Sequence, residues 1–313
     1  NFDQLGDHYA TIVGDYHKFC SERKADVLIA MDVASKYTYK GGEGNDETYL
    51  NLKNRLKIDV QANTDLLELA IKDRQQHQYT QALYAPIHGV DLETYLQHFQ
   101  AVLELERKYQ YNFDGFAIGG IGPIRSVRQC VSVAILVMRM REVLNQQDRH
   151  IPIHILGAGG IKNLIVLTYA GARSFDCHTP WRRASDGQAK FLVPLLNANL
   201  ETLANNRVYE SLPIVKITDS MGCDCLVCSS YPIVKLKSLY LGGPEDNYFA
   251  KILIFIHAMW QYEFLLRKLD QIYCHNDSEA KLHEFVDSIG DSKYREYIKR
   301  CLVALAQQRK DSH

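Results

Sequence analysis

What most constrains this chain is a series of short apolar runs, each stopped by a polar or glycine-rich break and followed by an amphipathic stretch. The runs are Ala25–Asp32, Ala82–Gly89, Phe113–Gly120, Ile151–Gly157 and Ala172–Cys177. Near-continuous hydrophobicity is what a strand buried on both faces requires, and such strands belong to parallel sheets covered by helices. Between the runs, Leu92, Leu96, Phe99 and Leu103 share one helical stripe behind Asp91, which reads as an N-cap. Val131–Leu144 reads as a long apolar helix. This alternation predicts an α/β protein with a parallel sheet. Polar residues at the carboxyl ends of the runs favour a TIM-type (β/α) barrel, whose active site is built on that face. A doubly wound sheet also binds its ligand there, so the pattern alone does not choose.

Five runs are visible where a complete barrel needs eight strands, and the first begins close to residue 25. The shortfall therefore lies at the front. The chain also lacks an initiator Met, so the native start is expected upstream of Asn1 and the sequence is expected to be part of a longer polypeptide. From about residue 204 the alternation stops. Tyr248–Leu269 is apolar-periodic, and Ser292–Lys310 carries six basic side chains, among them Lys293, Arg295 and Lys299. The expected division is an N-terminally incomplete barrel over 1–203 and a zinc-binding, helical C-terminal subdomain over 204–313. Gly41–Asp46 reads as a mobile loop.

Composition removes several classes. With 46% hydrophobic residues and 36 basic against 37 acidic side chains, the 313-residue chain is too apolar and too evenly charged for a disordered one. A net charge of −1 excludes a binder that relies on bulk positive charge, though not a local basic groove. No stretch approaches the roughly 20 uninterrupted apolar residues of a membrane span. Asn1-Phe2-Asp3-Gln4 has neither the basic nor the apolar region of a signal peptide. No membrane partner and a cytoplasmic, reducing location are expected.

Of eight cysteines, three crowd into Cys223-Asp224-Cys225-Leu226-Val227-Cys228. C-x-C-x-x-C points to metal or redox chemistry more than to cross-links. Three thiolates need a fourth donor to close a tetrahedral zinc shell. His257, in the otherwise apolar Phe255-Ile256-His257-Ala258-Met259-Trp260, is the expected donor, with His275 the competing one. The blander readings are a redox C-x-x-C pair, which gives the third cysteine no role, and packed free thiols. A site closed by four protein ligands has no open position, so its zinc is structural.

Phe113-Asp114-Gly115-Phe116-Ala117-Ile118-Gly119-Gly120, then Phe175-Asp176-Cys177-x-x-Pro180, then C-x-C-x-x-C with a distant His, resembles the tRNA-guanine transglycosylases over about residues 10 to 270. These are barrel enzymes that exchange guanine for a 7-deazaguanine. The resemblance implies that Asp176 is the nucleophile. A carboxylate at a strand end can attack an anomeric carbon and form a glycosyl-enzyme, and a second displacement then retains configuration. It implies that Asp32 accepts hydrogen bonds from the pyrimidine edge of the base, and that His88, standing before Gly89 where the family usually has Gln, bonds the base carbonyl. Gly119 and Gly120 let the backbone approach the base edge. Leu156 takes the place of a flat apolar residue packed on the base. Each has a plainer reading as rim salt bridge, turn or core packing. Gly157-Ala158-Gly159-Gly160 lacks the third glycine of a dinucleotide loop and is not read as one. The family's general acid/base aspartate and a base-sandwiching aromatic lie further upstream of the Asp32 motif than this chain extends.

Two departures bear on substrate. Where bacterial tRNA enzymes have a Glu that accommodates a cationic aminomethyl group, the matching position is Arg125. A guanidinium repels an ammonium and favours a neutral substituent such as the nitrile of 7-cyano-7-deazaguanine. That base serves archaeal tRNA enzymes and the DNA-modifying, DpdA-like transglycosylases. After the nucleophile, His178-Thr179-Pro180-Trp181-Arg182-Arg183 replaces a proline-threonine-arginine run. Arg182, Arg183 and Lys190 are expected to neutralise phosphates and Trp181 to stack on or wedge beside a base, or else to form a solvated loop with one packed Trp. DNA is favoured over tRNA, and a homodimer or partner proteins fit either. A non-catalytic, zinc-stabilised partner subunit of the same fold and an unrelated barrel hydrolase are the other function classes.

Overall fold

The computed structural model describes residues 2–33, 47–121, 124–176, 178–187, 189–192, 211–217, 223–273, 278–289 and 292–310. The Gly41–Asp46 loop, Cys177, His275 and the expected boundary at residue 203 lie outside them. The chain divides into two compact units. One is built from residues 1–158 and 166–176, the other from 159–165 and 177–313.

The first unit carries five parallel strands in the sheet order β1-β2-β3-β4-β5: β1 (Val27–Ile29), β2 (Ala82–Ile87), β3 (Gly115–Ile118), β4 (Ile153–Ile155) and β5 (Ser174–Phe175). Helices α1 (Phe2–Glu22), α2 (Glu47–Gln76), α3 (Leu92–Tyr109) and α4 (Val127–Gln146) alternate with them, and α5 (Ile161–Ala170), between β4 and β5 in the chain, has residues 161–165 in the second unit and 166–170 in the first. The sheet is a curled half-barrel. All five apolar runs of the sequence hold a strand.

Local chemistry explains why the elements stop and start where they do. Asp91 Oδ1 accepts from Thr94 N at 2.8 Å while Thr94 Oγ1 accepts from Asp91 N at 3.1 Å, a reciprocal capping box that opens α3. Ser126 caps α4 through Gln129 N at 3.2 Å. Pro86 sits inside a central strand, where its missing N–H would ordinarily break the ladder. Its register removes the conflict. Ala82 N, on the same side of the strand, bonds Asp26 O at 2.9 Å, so position 86 points its nitrogen toward β1, which has ended at Ile29. On the other side Pro86 stays in register with Ala117.

The core of this unit lies between sheet and helices, with Phe99 of α3 edge-on to Phe116 of β3 at 5.0 Å. One buried ion pair ties the layers together. Arg149 reaches both oxygens of Glu106, at 2.6 and 2.8 Å, and Glu106 also accepts from Phe113 N at 2.7 Å. Glu106 is only 4% exposed.

The second unit is mainly helical: α6 (Thr179–Ser185), α7 (Leu226–Ser230), α8 (Ile233–Tyr240), α9 (Pro244–Tyr273), α10 (Ser278–Asp287) and α11 (Ser292–Lys310). The sequence gives no warning of its antiparallel pair β6 (Lys190–Leu192) and β7 (Ser211–Pro213), followed by a 3-10 turn at Ile214–Lys216. Helix α9 is long and apolar enough to cross a membrane by length and composition alone, with a mean hydropathy of 1.2 over its most apolar window. Its Leu253, Ile254 and Leu265 are buried, the first two in a core with Phe191, Ile214, Ile233 and Leu236.

Removing Glu106 leaves a guanidinium and the Phe113 N–H without their acceptor inside the protein. Glu106→Ala is expected to lower unfolding free energy by about 3–5 kcal/mol. Arg267→Ala, which breaks an exposed helical pair with Glu263, should change it by less than about 1 kcal/mol. Urea denaturation of the two variants side by side checks the contrast.

Candidate active site and metal centre

In a parallel sheet every strand leaves by the same edge, so the residues just past the five strands gather there. Asp32 follows β1, His88 and Gly89 follow β2, and Gly119 and Gly120 follow β3. Leu156 and Gly157 follow β4, and Asp176 follows β5. All belong to the first unit.

Asp32 is held from both sides. Tyr16 donates to Ile29 O at 3.1 Å, and Asn63, fully buried on α2, accepts from Val33 N at 2.6 Å and donates to Val33 O at 3.3 Å. Asp32 Oδ2 lies 2.8 Å from His88 Nε2. The contact is one of proximity, because neither ring nitrogen of His88 makes an aligned hydrogen bond among the described residues. The imidazole is nonetheless only 3% exposed. A buried ring with unsatisfied nitrogens at a strand end is suited to meeting a ligand.

Behind it, His98 Nδ1 accepts from His88 N at 3.0 Å, and the two rings stack at 6.3 Å. Burial, then the neighbouring His88, drive the His98 pKa down to about 4, so this second imidazole is neutral at physiological pH. Gly119 closes the other side of His88. A Cβ there would stand 2.6 Å from His88 Cε1. Gly119 N bonds Ile87 O at 3.0 Å, and Tyr95 Oη donates to Gly119 O at 2.6 Å. Gly120 follows with a φ of 71°, and half-buried Leu156 bonds Ile118 O through its N–H at 3.0 Å.

Asp176 is the best-anchored carboxylate of this edge. Its Oδ1 accepts from Gly157 N at 2.9 Å and from His154 Nε2 at 3.1 Å. Gly157 aims that N–H from a φ of +73°, a conformation open to glycine and rarely to other residues. The His154 hydrogen bond pulls the Asp176 pKa below the ordinary carboxylate value, burial opposes it, and the Gly157 N–H adds to the lowering. Asp176 is thus an anion at neutral pH with a side chain 56% exposed. Sequence reading named Asp176 and missed His154, Asn63 and the purpose of Gly157. The available signal at His154 was a polar residue centred in the apolar Ile153-His154-Ile155.

The basic residues expected to face phosphates lie in the second unit. Trp181 meets Phe255 edge-on at 5.5 Å and is partly exposed, Arg182 is exposed and Arg183 half-buried. Lys190 Nζ is 2.9 Å from Asp186 Oδ2, so that cation has an internal partner.

The same unit assembles Cys223, Cys225, Cys228 and His257, whose ligand atoms all lie within 4.8 Å of one another. His257 Nδ1 is 3.7, 3.3 and 3.4 Å from the three sulfurs in that order. Zinc with ordinary bond lengths in a tetrahedral shell sets its sulfur and nitrogen ligands about 3.6 Å apart, so the donor set and spacing fit. Cys225 caps α7, and Cys228 N donates to Cys225 Sγ at 3.4 Å. His257 Nε2 donates to Leu192 O at 2.7 Å, which leaves Nδ1 as the nitrogen open to a metal. Phe191 stacks on the imidazole at 3.9 Å, and Gln261 Nε2 donates to Cys223 Sγ at 3.1 Å.

Because the His88 ring is enclosed, it has little room to yield to a methyl group at 119. Gly119→Ala is expected to cost about 1–3 kcal/mol of stability through overpacking and to displace the His88 ring. Thermal denaturation and the His88 ring resonances in an NMR spectrum measure both effects.

The family model described as queuine tRNA-ribosyltransferase matches residues 16–289. A queuine tRNA-ribosyltransferase of Prochlorococcus marinus is 26% identical over 211 residues, covering 66% of this chain and 48% of that protein. One from Francisella tularensis subsp. mediasiatica is 23% identical over 165 residues, 53% of this chain and 40% of its own length. The chain thus spans less than half the length of these relatives. A match running through every strand of the half-barrel and the whole cysteine–histidine cluster leaves one assignment: this chain belongs to the tRNA-guanine transglycosylase family.

Proposed function

We propose that this chain carries the catalytic site of a guanine transglycosylase, a pentosyltransferase that exchanges a guanine in nucleic acid for a 7-deazaguanine through a covalent Asp176 intermediate. The carrying observation is the anionic Asp176, anchored through Oδ1 on the strand edge that also bears Asp32, His88 and the Gly119-Gly120 turn. Family membership supports the reaction class. In the first step an Asp176 carboxylate oxygen donates an electron pair to C1′ of the nucleoside. The C1′–N9 bond breaks, its electrons leave with guanine, and the base takes up a proton from solvent. The incoming deazaguanine, losing a proton to solvent, then attacks C1′ and returns the pair to the carboxylate. Asp32 accepts from the N1–H and 2-amino donors of the base, and His88 bonds its carbonyl. Gly119 and Gly120 let the edge approach, and Leu156 packs on a face.

The finer reading is a DNA substrate and a neutral 7-substituent such as a nitrile, in the manner of the DpdA-like transglycosylases. Arg125, exposed just before α4, and the Trp181-Arg182-Arg183 sequence with Lys190 support it. The names of the relatives support tRNA as the second reading. The cysteine–histidine cluster holds a structural zinc: four protein ligands fill a tetrahedral shell and leave no position for substrate. In this reading residues 1–203 carry catalysis and 204–313 the zinc.

Supplying labelled guanine to full-length protein with duplex DNA and tRNA in parallel tests the substrate. Label is expected in DNA, and incorporation into tRNA alone reverses the preference. Asp176→Asn is expected to keep fold and guanine affinity and to lose the denaturation-resistant adduct, with exchange falling at least about a thousandfold. Near wild-type exchange, or an adduct on another carboxylate, defeats the mechanism.

Metal analysis is expected to find about one equivalent of zinc, and Cys225→Ser to leave less than half of it. Complete chelation should unfold the second unit. A fold unchanged after chelation is inconsistent with a structural ion.

A further inference from the structure

Strand β4 puts Ile153 and Ile155 into the core and turns His154 the other way. The parallel register sets His154 beside Ser174, and Asp176 follows Ser174 by two residues, on the same side of an extended chain. Three polar side chains are thereby in line. Ser174 Oγ lies 2.9 Å from His154 Nδ1, and His154 Nε2 lies 3.1 Å from Asp176 Oδ1. A carboxylate has nothing to donate, so Nε2 carries the proton. In the neutral ring Nδ1 then accepts from the Ser174 hydroxyl, which fixes the tautomer.

Resting on the base-exchange reading above, we infer that His154 is the positioning residue of the nucleophile: with Gly157 N–H it pins Asp176 Oδ1, so that Oδ2 is the oxygen offered to the sugar. Both donors converge on one oxygen, and together they stop the carboxyl group from rotating about its Cβ–Cγ bond. The consequence runs through both displacements. On attack, Oδ2 bonds C1′ while Oδ1 becomes the ester carbonyl and keeps its two donors. On the return, the C1′–Oδ2 pair reverts to a carboxylate that the same two N–H groups stabilise, which makes Asp176 a better leaving group. His154 touches neither base nor sugar in this arrangement and acts through Asp176. The pKa of Asp176 fits the geometry, since the His154 hydrogen bond is the largest influence lowering it. A histidine that merely filled the core would need no carboxylate partner and would leave the oxygens equivalent.

The test uses the full-length protein and the nucleic acid that the labelling experiment identifies. His154→Leu removes the donor, and His154→Gln keeps an N–H near the position of Nε2. Ser174→Ala frees the tautomer. Three quantities are measured for each folded variant: the rate of adduct formation, guanine affinity, and the titration midpoint of Asp176 by carbon NMR. Adduct formation is expected to fall about ten- to a hundredfold in His154→Leu, the scale of a misplacement near 1 Å. Guanine affinity should stay within about twofold, and the Asp176 midpoint should rise. His154→Gln should recover most of the rate, and Ser174→Ala should lie between. Wild-type adduct rates in His154→Leu overturn the inference. Equal loss of rate and guanine affinity in the Leu and Gln variants reduces His154 to a structural residue and overturns it too. If the wild type forms no adduct with DNA or tRNA, the base-exchange reading fails. The Asp176 midpoint then decides the clamp alone: a rise in His154→Leu sustains it, and an unmoved midpoint removes it.

Discussion

Parallel pairing of five short strands is the constraint on which the rest of the first unit depends. Because each strand runs the same way as its neighbours, every chain exits at one edge and every helix returns to the other. A residue placed just past a strand is thereby brought beside residues dozens of positions away, and backbone bonds such as Gly119 N to Ile87 O and Leu156 N to Ile118 O hold the exits in step. The capping box of α3 and the Glu106–Arg149 pair serve the same end by fixing where each segment turns back. Pro86 shows how tightly register and sequence are linked, since a proline is tolerated in this strand only while β1 stops short of it.

The edge so formed treats its two carboxylates differently. Asp32 leans on an imidazole whose nitrogens have no aligned partners among the described residues, a polar arrangement that a ligand with both donors and an acceptor would complete. Asp176 is finished on one oxygen by a backbone and a side-chain donor and is correspondingly acidic. Incomplete pairing suits recognition, because the ligand supplies the missing bonds. Rigid one-sided pairing suits nucleophilic attack, because direction matters more than affinity there.

The legible part of the sequence was the part written locally. A strand buried on both faces must be apolar throughout, and Asp91 can cap only the helix that begins next to it, so both could be read from a few adjacent residues. That Asp176 and Asp32 stand just past strands was legible from their position after apolar runs. The supports were not. Asn63 reaches Val33 across 30 positions, and His98 meets His88 from the next helix. His154 finds Ser174 only through inter-strand register, so a single polar residue amid isoleucines gave no direction to search. Strands β6 and β7 escaped for a related reason: three residues each, one ending in Pro213, carry too little pattern to exceed turn signals.

In the second unit the division between local and distant information falls inside one site. C-x-C-x-x-C announces three ligands because its spacing brings sulfurs to one side of a tight knuckle at the start of α7. The fourth, His257, comes from the middle of α9, while the competing His275 lies outside the described residues. What makes His257 a physical candidate is the surroundings of its ring. Its far nitrogen is bound to Leu192 O, one face is covered by Phe191, and its near nitrogen points at three sulfurs. Packing three sulfurs and an imidazole this closely in an apolar core is costly for free thiols and thiolates, which repel one another or lose hydration. A divalent cation held there would reverse the sign of that cost, drawing the same four atoms together and fastening α7, α9 and the β6 backbone at one point. The cluster is therefore understandable as a staple whose strength would come from the ion it fits.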